Sequence, residues 1–163
     1  MKRIFTILAL ATLLFVAGPA AAGTKTHKAS SVTFWIPDNW TVEDQDHDGL
    51  QVSDPKGQVS LMFLLKEAKD TKAALAAIDE MIEEHATDVK AGKPQKTTLN
   101  GMETVVVDAT GTIEGKPVEL SVMIVKTLTG KYLTVFGVLE ASVKKKHEAN
   151  LVKILASLKP VKK

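Results

Sequence analysis

Tight turns between apolar runs constrain this chain more than any other feature of its sequence. Residues 96–141 read KTTLNGMETVVVDATGTIEGKPVELSVMIVKTLTGKYLTVFGVLEA, with Asn100-Gly101, Glu114-Gly115-Lys116 and Thr129-Gly130 separating β-prone stretches. Asn-Gly is the strongest short hairpin signal, because both central residues of a type I′ turn need a positive φ. Strands joined this tightly run antiparallel, since a parallel crossover takes a dozen or more residues. In the PVELSVMIVKTL stretch apolar side chains fall on both parities, Val118, Leu120, Val122 and Ile124 on one, Met123 and Val125 on the other. A strand apolar on both faces is expected to be covered on both faces.

The rest of the chain supplies partners and covers. SVTFWIPDNW reads as a short strand ended by a turn at Pro37, Asp38 and Asn39, with a second short strand around Trp40 and Glu43. LQVSD pairs back across an acidic loop, PKG makes another turn, and QVSLMFLLKEA is strongly β-prone. Asp70 or Thr71 can cap a helix whose apolar stripe is Leu75, Ile78, Met81 or Ile82, and His85, with Gly92 and Pro94 ending it. Ser142 can cap a second helix striped by Leu151, Ile154, Leu155 and Leu158. The expected fold class is α+β, an antiparallel β-sheet of about six strands covered by helices, with residues 31–160 as a single domain. Residues 23–30, small and polar, are expected to be a flexible segment, and residues 161–163 a basic tail.

Lys2 and Arg3 precede an apolar run over residues 4–16, and Ala20, Ala21 and Ala22 follow the Gly18-Pro19 break. That order is a signal peptide, residues 1–22, cleaved after Ala22. The run is shorter than the roughly 20 residues of a membrane span, so no integral membrane segment is expected after cleavage. The destination is export, periplasmic or secreted. The chain has no cysteine, which excludes a lipid anchor on cysteine, thiolate metal sites and cysteine nucleophiles.

Removing Lys2 and Arg3 from the 21 basic residues leaves 19 lysines against 19 acids, and no arginine. Phosphate and base recognition lean on the arginine fork, so nucleic acid is not an expected partner. No Gly-x-Ser-x-Gly elbow, P-loop or Gly-x-Gly-x-x-Gly is present. A non-catalytic binding module is expected, with a calcium-dependent version using the acidic loop Asp44 to Asp48 as the first alternative and a hydrolase assembled from distant residues as the second.

The succession FWIPDNW, VSDPKG, a helix, TTLNGMETVVVDATGTIEGKPVEL, GKYLTVFGV and a closing ILASLKP resembles the PsbP/DcrB-like group across residues 32–160. Asn39 stands where such sequences usually place glycine, and asparagine tolerates the same left-handed turn. The resemblance implies an α/β/α sandwich serving as an accessory, binding or chaperone-like module for an unknown protein or small ligand, monomeric by default. Photosynthetic members of the group retain calcium and chloride, but none of their sites carries over residue by residue.

Three places carry candidate chemistry. In DQDHDG, Asp44, Asp46, Asp48 and Gly49 match the first half of a helix-loop-helix calcium site, but Pro55 occupies the twelfth position and both flanks read as strands. A looser calcium site of Asp44, Asp46, Asp48 and Asp54 is one reading, and a metal held through His47 another. The plain alternative is a solvated hairpin tip with Asp48-Gly49 as its turn. Lys144, Lys145 and Lys146 form a basic run in the first turn of the second helix, the wrong end for the helix dipole, and either dock an acidic partner or anionic lipid or lie on a solvated face. Trp35 and Trp40 flank the Pro37 turn and are expected to anchor a sheet corner. His27, His85 and His147 have no spacing that suggests zinc.

Overall fold

Backbone hydrogen bonding divides the described residues into two sheets and two α-helices. The computed structural model describes residues 23–161; the expected signal peptide, residues 1–22, and the last two residues of the expected basic tail lie outside them. The elements are β1 (Gly23–His27), β2 (Val32–Ile36), β3 (Thr41–Gln45), β4 (Gly49–Ser53), β5 (Val59–Lys66) and α1 (Thr71–His85). They continue as β6 (Thr87–Ala91), β7 (Gln95–Leu99), β8 (Met102–Ile113), β9 (Lys116–Lys126) and β10 (Tyr132–Glu140). A single 3-10 turn (Ala141–Val143) then leads into α2 (Lys144–Ala156) and β11 (Lys159–Pro160).

The turn chemistry fixes the register of the meander. Leu99 pairs with Met102 and Ile113 with Lys116, so each loop has two residues. Asn100 and Gly101 have φ of 48° and 84°, and Glu114 and Gly115 have 50° and 78°, the paired positive angles of type I′ turns. Asn39 is likewise left-handed, at φ 66°.

The main sheet runs β3-β4-β5-β10-β9-β8-β6 with β7 also on β8, antiparallel throughout. It has eight strands rather than about six. The 12-residue β8 is long enough to take two partners end to end, β7 along residues 102–106 and β6 along residues 109–112. To supply β6, α1 stops at His85, well before Gly92. Ala86 is already extended (φ −123°, ψ 147°), and its buried methyl packs on the sheet.

Residues 23–30 are not a flexible segment. β1 pairs with β2 along its full length, from Gly23 opposite Ile36 to His27 opposite Val32. Polar composition hides this strand because its stability comes from backbone bonds and from the buried His27 and Ser30. With β11 on the other side of β2, the three strands form a second, smaller sheet.

The two parities of β9 enter two cores. Val118, Leu120, Val122 and Ile124 pack with Ala74, Ile78 and Ile82 of α1. Met123 and Val125 join Leu133 and Val135 of β10, Val32 and Phe34 of β2, and Ile154 of α2. Phe34 stacks on Phe63 of β5 at 4.3 Å between ring centres, which joins the small sheet to the large one. The layers are therefore α1, the large sheet, and α2 with the small sheet.

Asp70 caps α1, accepting a 2.8 Å hydrogen bond from the Ala73 amide. Ser142 does not cap α2. It lies within the 3-10 turn that continues into the helix, and Val143 occupies the cap without a side-chain bond. The other end of α2 is held from outside: Asn100 donates its side-chain amide to the carbonyls of Ala156 (3.0 Å) and Leu158 (2.7 Å). Asn100→Ala should lower the unfolding free energy by about 1–3 kcal/mol, from two bereft carbonyls and an alanine at positive φ. Asn100→Gly, which keeps the turn and loses only the bonds, should fall in between; urea unfolding of the three proteins measures both.

Candidate functional site

The acidic residues singled out above do not come together. Asp46, His47 and Asp48 form the exposed loop of the β3–β4 hairpin, beyond the last pair, Gln45 with Gly49. His47 and Asp48 take left-handed φ of 58° and 59° there. Asp44 lies exposed on β3, the edge strand. Asp54 sits at the opposite end of β4, only 4% exposed, and accepts from the backbone amides of Lys56 (3.2 Å), Gln58 (2.6 Å) and Val59 (2.8 Å). Those three bonds close the β4–β5 turn. Among the described residues no group of three or more His, Cys, Asp or Glu side chains is placed to hold a metal ion. The calcium shell of Asp44, Asp46, Asp48 and Asp54 is thus not assembled, because Asp54 is spent on backbone at the far end of a strand.

This assigns opposite weights to two aspartates of one short segment. Asp54→Ala should cost about 3 kcal/mol or more by stranding buried amides, while Asp46→Ala should change stability by less than about 0.5 kcal/mol. Chemical unfolding curves of the two variants test the contrast.

His27 is a structural residue rather than part of a tail. Its Nε2 donates to the Asp48 carbonyl (2.7 Å) and its Nδ1 accepts from the Ser30 hydroxyl (2.8 Å), which suits a neutral ring. Burial holds its pKa below the ordinary histidine value, against the opposing pull of the Asp48 carbonyl and charge. A base depressed in the folded state contributes stability that is complete above the unfolded value of about 6.5 and is lost as pH falls below it. The melting midpoint should therefore drop between about pH 7 and about pH 5.5, and drop less in His27→Gln.

His147 of α2 is also buried, with Nε2 4.0 Å from the Asp54 carboxylate and its ring tilted against Trp40 at 6.0 Å. Trp40 is a core residue, and Trp35 is half-buried with the Lys153 ammonium 3.7 Å above its ring. The lysine run divides. All three are exposed, and Lys144 bonds Glu119 of β9 at 2.8 Å. The bond to Glu119 and its charge raise the Lys144 pKa, with smaller help from Glu148 and Asp108.

A concave surface lies elsewhere among the described residues, where α2 leans over β8, β9 and β10. A groove of about 640 Å³ opens between them. Its helix wall is formed by Lys144, Glu148, Leu151, Val152 and Leu155, which share one side of α2. The apolar part of its floor includes Leu61 of β5 and Leu139 of β10, with Gly137 of β10 paired opposite Leu61. A Cβ on Gly137 would stand 3.0 Å from the Leu61 side chain, so glycine lets β10 and β5 meet there without displacing the floor. The polar part holds Glu119, Ser121 and Asp108, with the Ser121 hydroxyl donating to Asp108 at 2.9 Å. A second hollow of about 310 Å³ shares Lys90, Thr110 and Glu119 with the groove and continues toward Asp88. Sequence reasoning missed this site. Its signals were faint: a glycine inside a strand, and Val152 just outside the core stripe.

Known structures share the fold at low sequence identity. The solution structure of the cyanobacterial PsbP (CyanoP) from Synechocystis sp. PCC 6803 superposes with a TM-score of 0.62 at 11% identity, over 87% of this chain and 94% of that one. The Ran-binding protein Mog1p of Saccharomyces cerevisiae gives 0.58 at 11%, over 86% and 96%. LpqN of Mycobacterium tuberculosis, involved in cell envelope biogenesis, gives 0.60 at 12%, over 85% and 90%. The chain thus carries a PsbP-like fold, as its sequence pattern implied. Compared with family models and with curated proteins, the sequence matches none.

Proposed function

We propose that this protein is an exported, non-catalytic binding module whose partner docks in the groove between α2 and the sheet. The observation that carries the reading is the apolar wall of α2: Val152 is 62% exposed, beside the half-buried Leu151 and Leu155, at the mouth of a cavity of ligand-accepting size. The core takes Ile154 and Leu158 from this end of the chain, with Leu151 and Leu155 packed against it, and Val152 belongs to neither set. Fold alone does not fix function. Proteins described as a PsbP, a Ran-binding protein and a cell-envelope factor nevertheless share the architecture, and a binding or accessory role suits all three.

Catalysis finds little support in the groove. No histidine lines it, and its serine is hydrogen-bonded to a carboxylate that no third group orients among the described residues. Export rests on the signal-like pattern of residues 1–22. Among the described residues no helix is long and apolar enough to cross a membrane. Lys145 and Lys146, and the acidic β3–β4 hairpin, are read as outlying charged surfaces that steer encounter rather than form the contact.

A photo-reactive residue placed at Val152, in the protein expressed in its own cell, should yield a discrete cross-linked adduct. The same residue at Lys72, exposed on α1 across the sheet, should yield none. Adducts from both positions alike, or from neither, would remove the groove from consideration.

A further inference from the structure

We infer that the occupant of the groove is a basic amphipathic segment of a partner protein, apolar along one side with lysine or arginine at its border. This rests on the groove being the docking site and adds the chemistry of what enters it. Charge here is set against an apolar wall. Four carboxylates border the groove and its continuation, Asp88, Asp108, Glu119 and Glu148, against two ammonium groups, Lys90 and Lys144.

Lys144 is bonded to Glu119 at 2.8 Å and only more weakly attracted by Glu148 and Asp108, and among the described residues the Asp108 carboxylate accepts a hydrogen bond from the Ser121 hydroxyl alone. Glu148, exposed on the helix wall, lies one turn before Val152. Lys145 and Lys146, though on the same helix, do not line the groove. A cation entering beside Asp108 and Glu148 is therefore attracted and an anion repelled, while Leu151, Val152 and Leu155 receive apolar side chains.

Shape decides between a small amphiphile and a segment of protein. Sites for small ligands bury roughly 70–90% of the molecule. Here the helix wall leaves Val152 62% exposed and the hollow runs on past Lys90 toward Asp88, an open trough that suits an extended run of side chains.

The test uses fluorescein-labelled peptides of about 14 residues with leucines at helical spacing, identical except for lysine or glutamate between them. Fluorescence anisotropy with the purified protein should show the leucine-lysine peptide binding at least about tenfold more tightly than its glutamate counterpart. Its affinity should fall with added salt, and by about fivefold or more in the double variant Asp108→Asn, Glu148→Gln. Val152→Ser should weaken it as well, with melting curves confirming that each variant is folded.

Equal binding of the two peptides, or no loss in the double variant, overturns the inference. So does equal binding by a peptide with serine in place of leucine, or binding of dodecylamine but of no peptide, which would make the occupant a small amphiphilic amine. Should no peptide bind while the Val152 adduct persists, the cationic segment is refuted and the groove stands. Loss of that adduct as well would refute both.

Discussion

The architecture depends on a pair of strands, β9 and β10, that are apolar on both faces. Val122 and Met123 are neighbours in sequence, yet they enter separate cores on opposite sides of one sheet. Each fully buried aliphatic side chain contributes about 1.5–3 kcal/mol, so neither face can be left to water. Two covering layers follow from this. α1, close in sequence to β5 and β6, supplies one. The other is assembled from chain ends: β1 and β2 from the beginning, α2 and β11 from the finish.

Because the second layer is composite, it needs fastening. Asn100 ties the β7–β8 turn to the end of α2, and the Ser157 hydroxyl accepts from the Trp35 amide of β2 at 2.7 Å. The Val161 amide donates to the Ser31 carbonyl at 2.9 Å, fixing the exit of β11. At its other end α2 meets Asp54 and Trp40 through the buried His147. These attachments hold the helix across the sheet without covering all of it. The uncovered part of β8 and β9 is where polar residues, Asp108, Thr110, Glu119 and Ser121, interrupt the apolar pattern. The groove is a product of that incomplete cover, bounded by a helix that the core has already positioned.

Much of the fold was legible in the sequence. Type I′ turns are decided by two residues, so Asn100-Gly101 and Glu114-Gly115 announced their hairpins locally. Two-sided apolar patterning in β9 announced cover on both faces. The end of α1 near His85, ahead of Gly92 and Pro94, was legible, but that Thr87 to Ala91 then form a strand is decided only by pairing with Thr112 and its neighbours. β1 went unseen for the same reason: its polar residues carry no periodic signal, and the bonds that order it lie on β2.

The candidate site was almost illegible. Asp46, Asp48 and Asp54 look alike in sequence, and burial separates a loop residue from a turn-closing one. Lys144 is one of three identical neighbours until Glu119 is brought beneath it. By itself the sequence determined the strand pairings across short turns, the two helices and the two-faced central strand, because those follow from interactions between near neighbours. Only the tertiary structure decided that β5 lies against β10, that α2 crosses β8 to β10, and that a groove with acidic borders results. Those are contacts between segments far apart in the chain, and no local pattern encodes which distant surface a helix will meet.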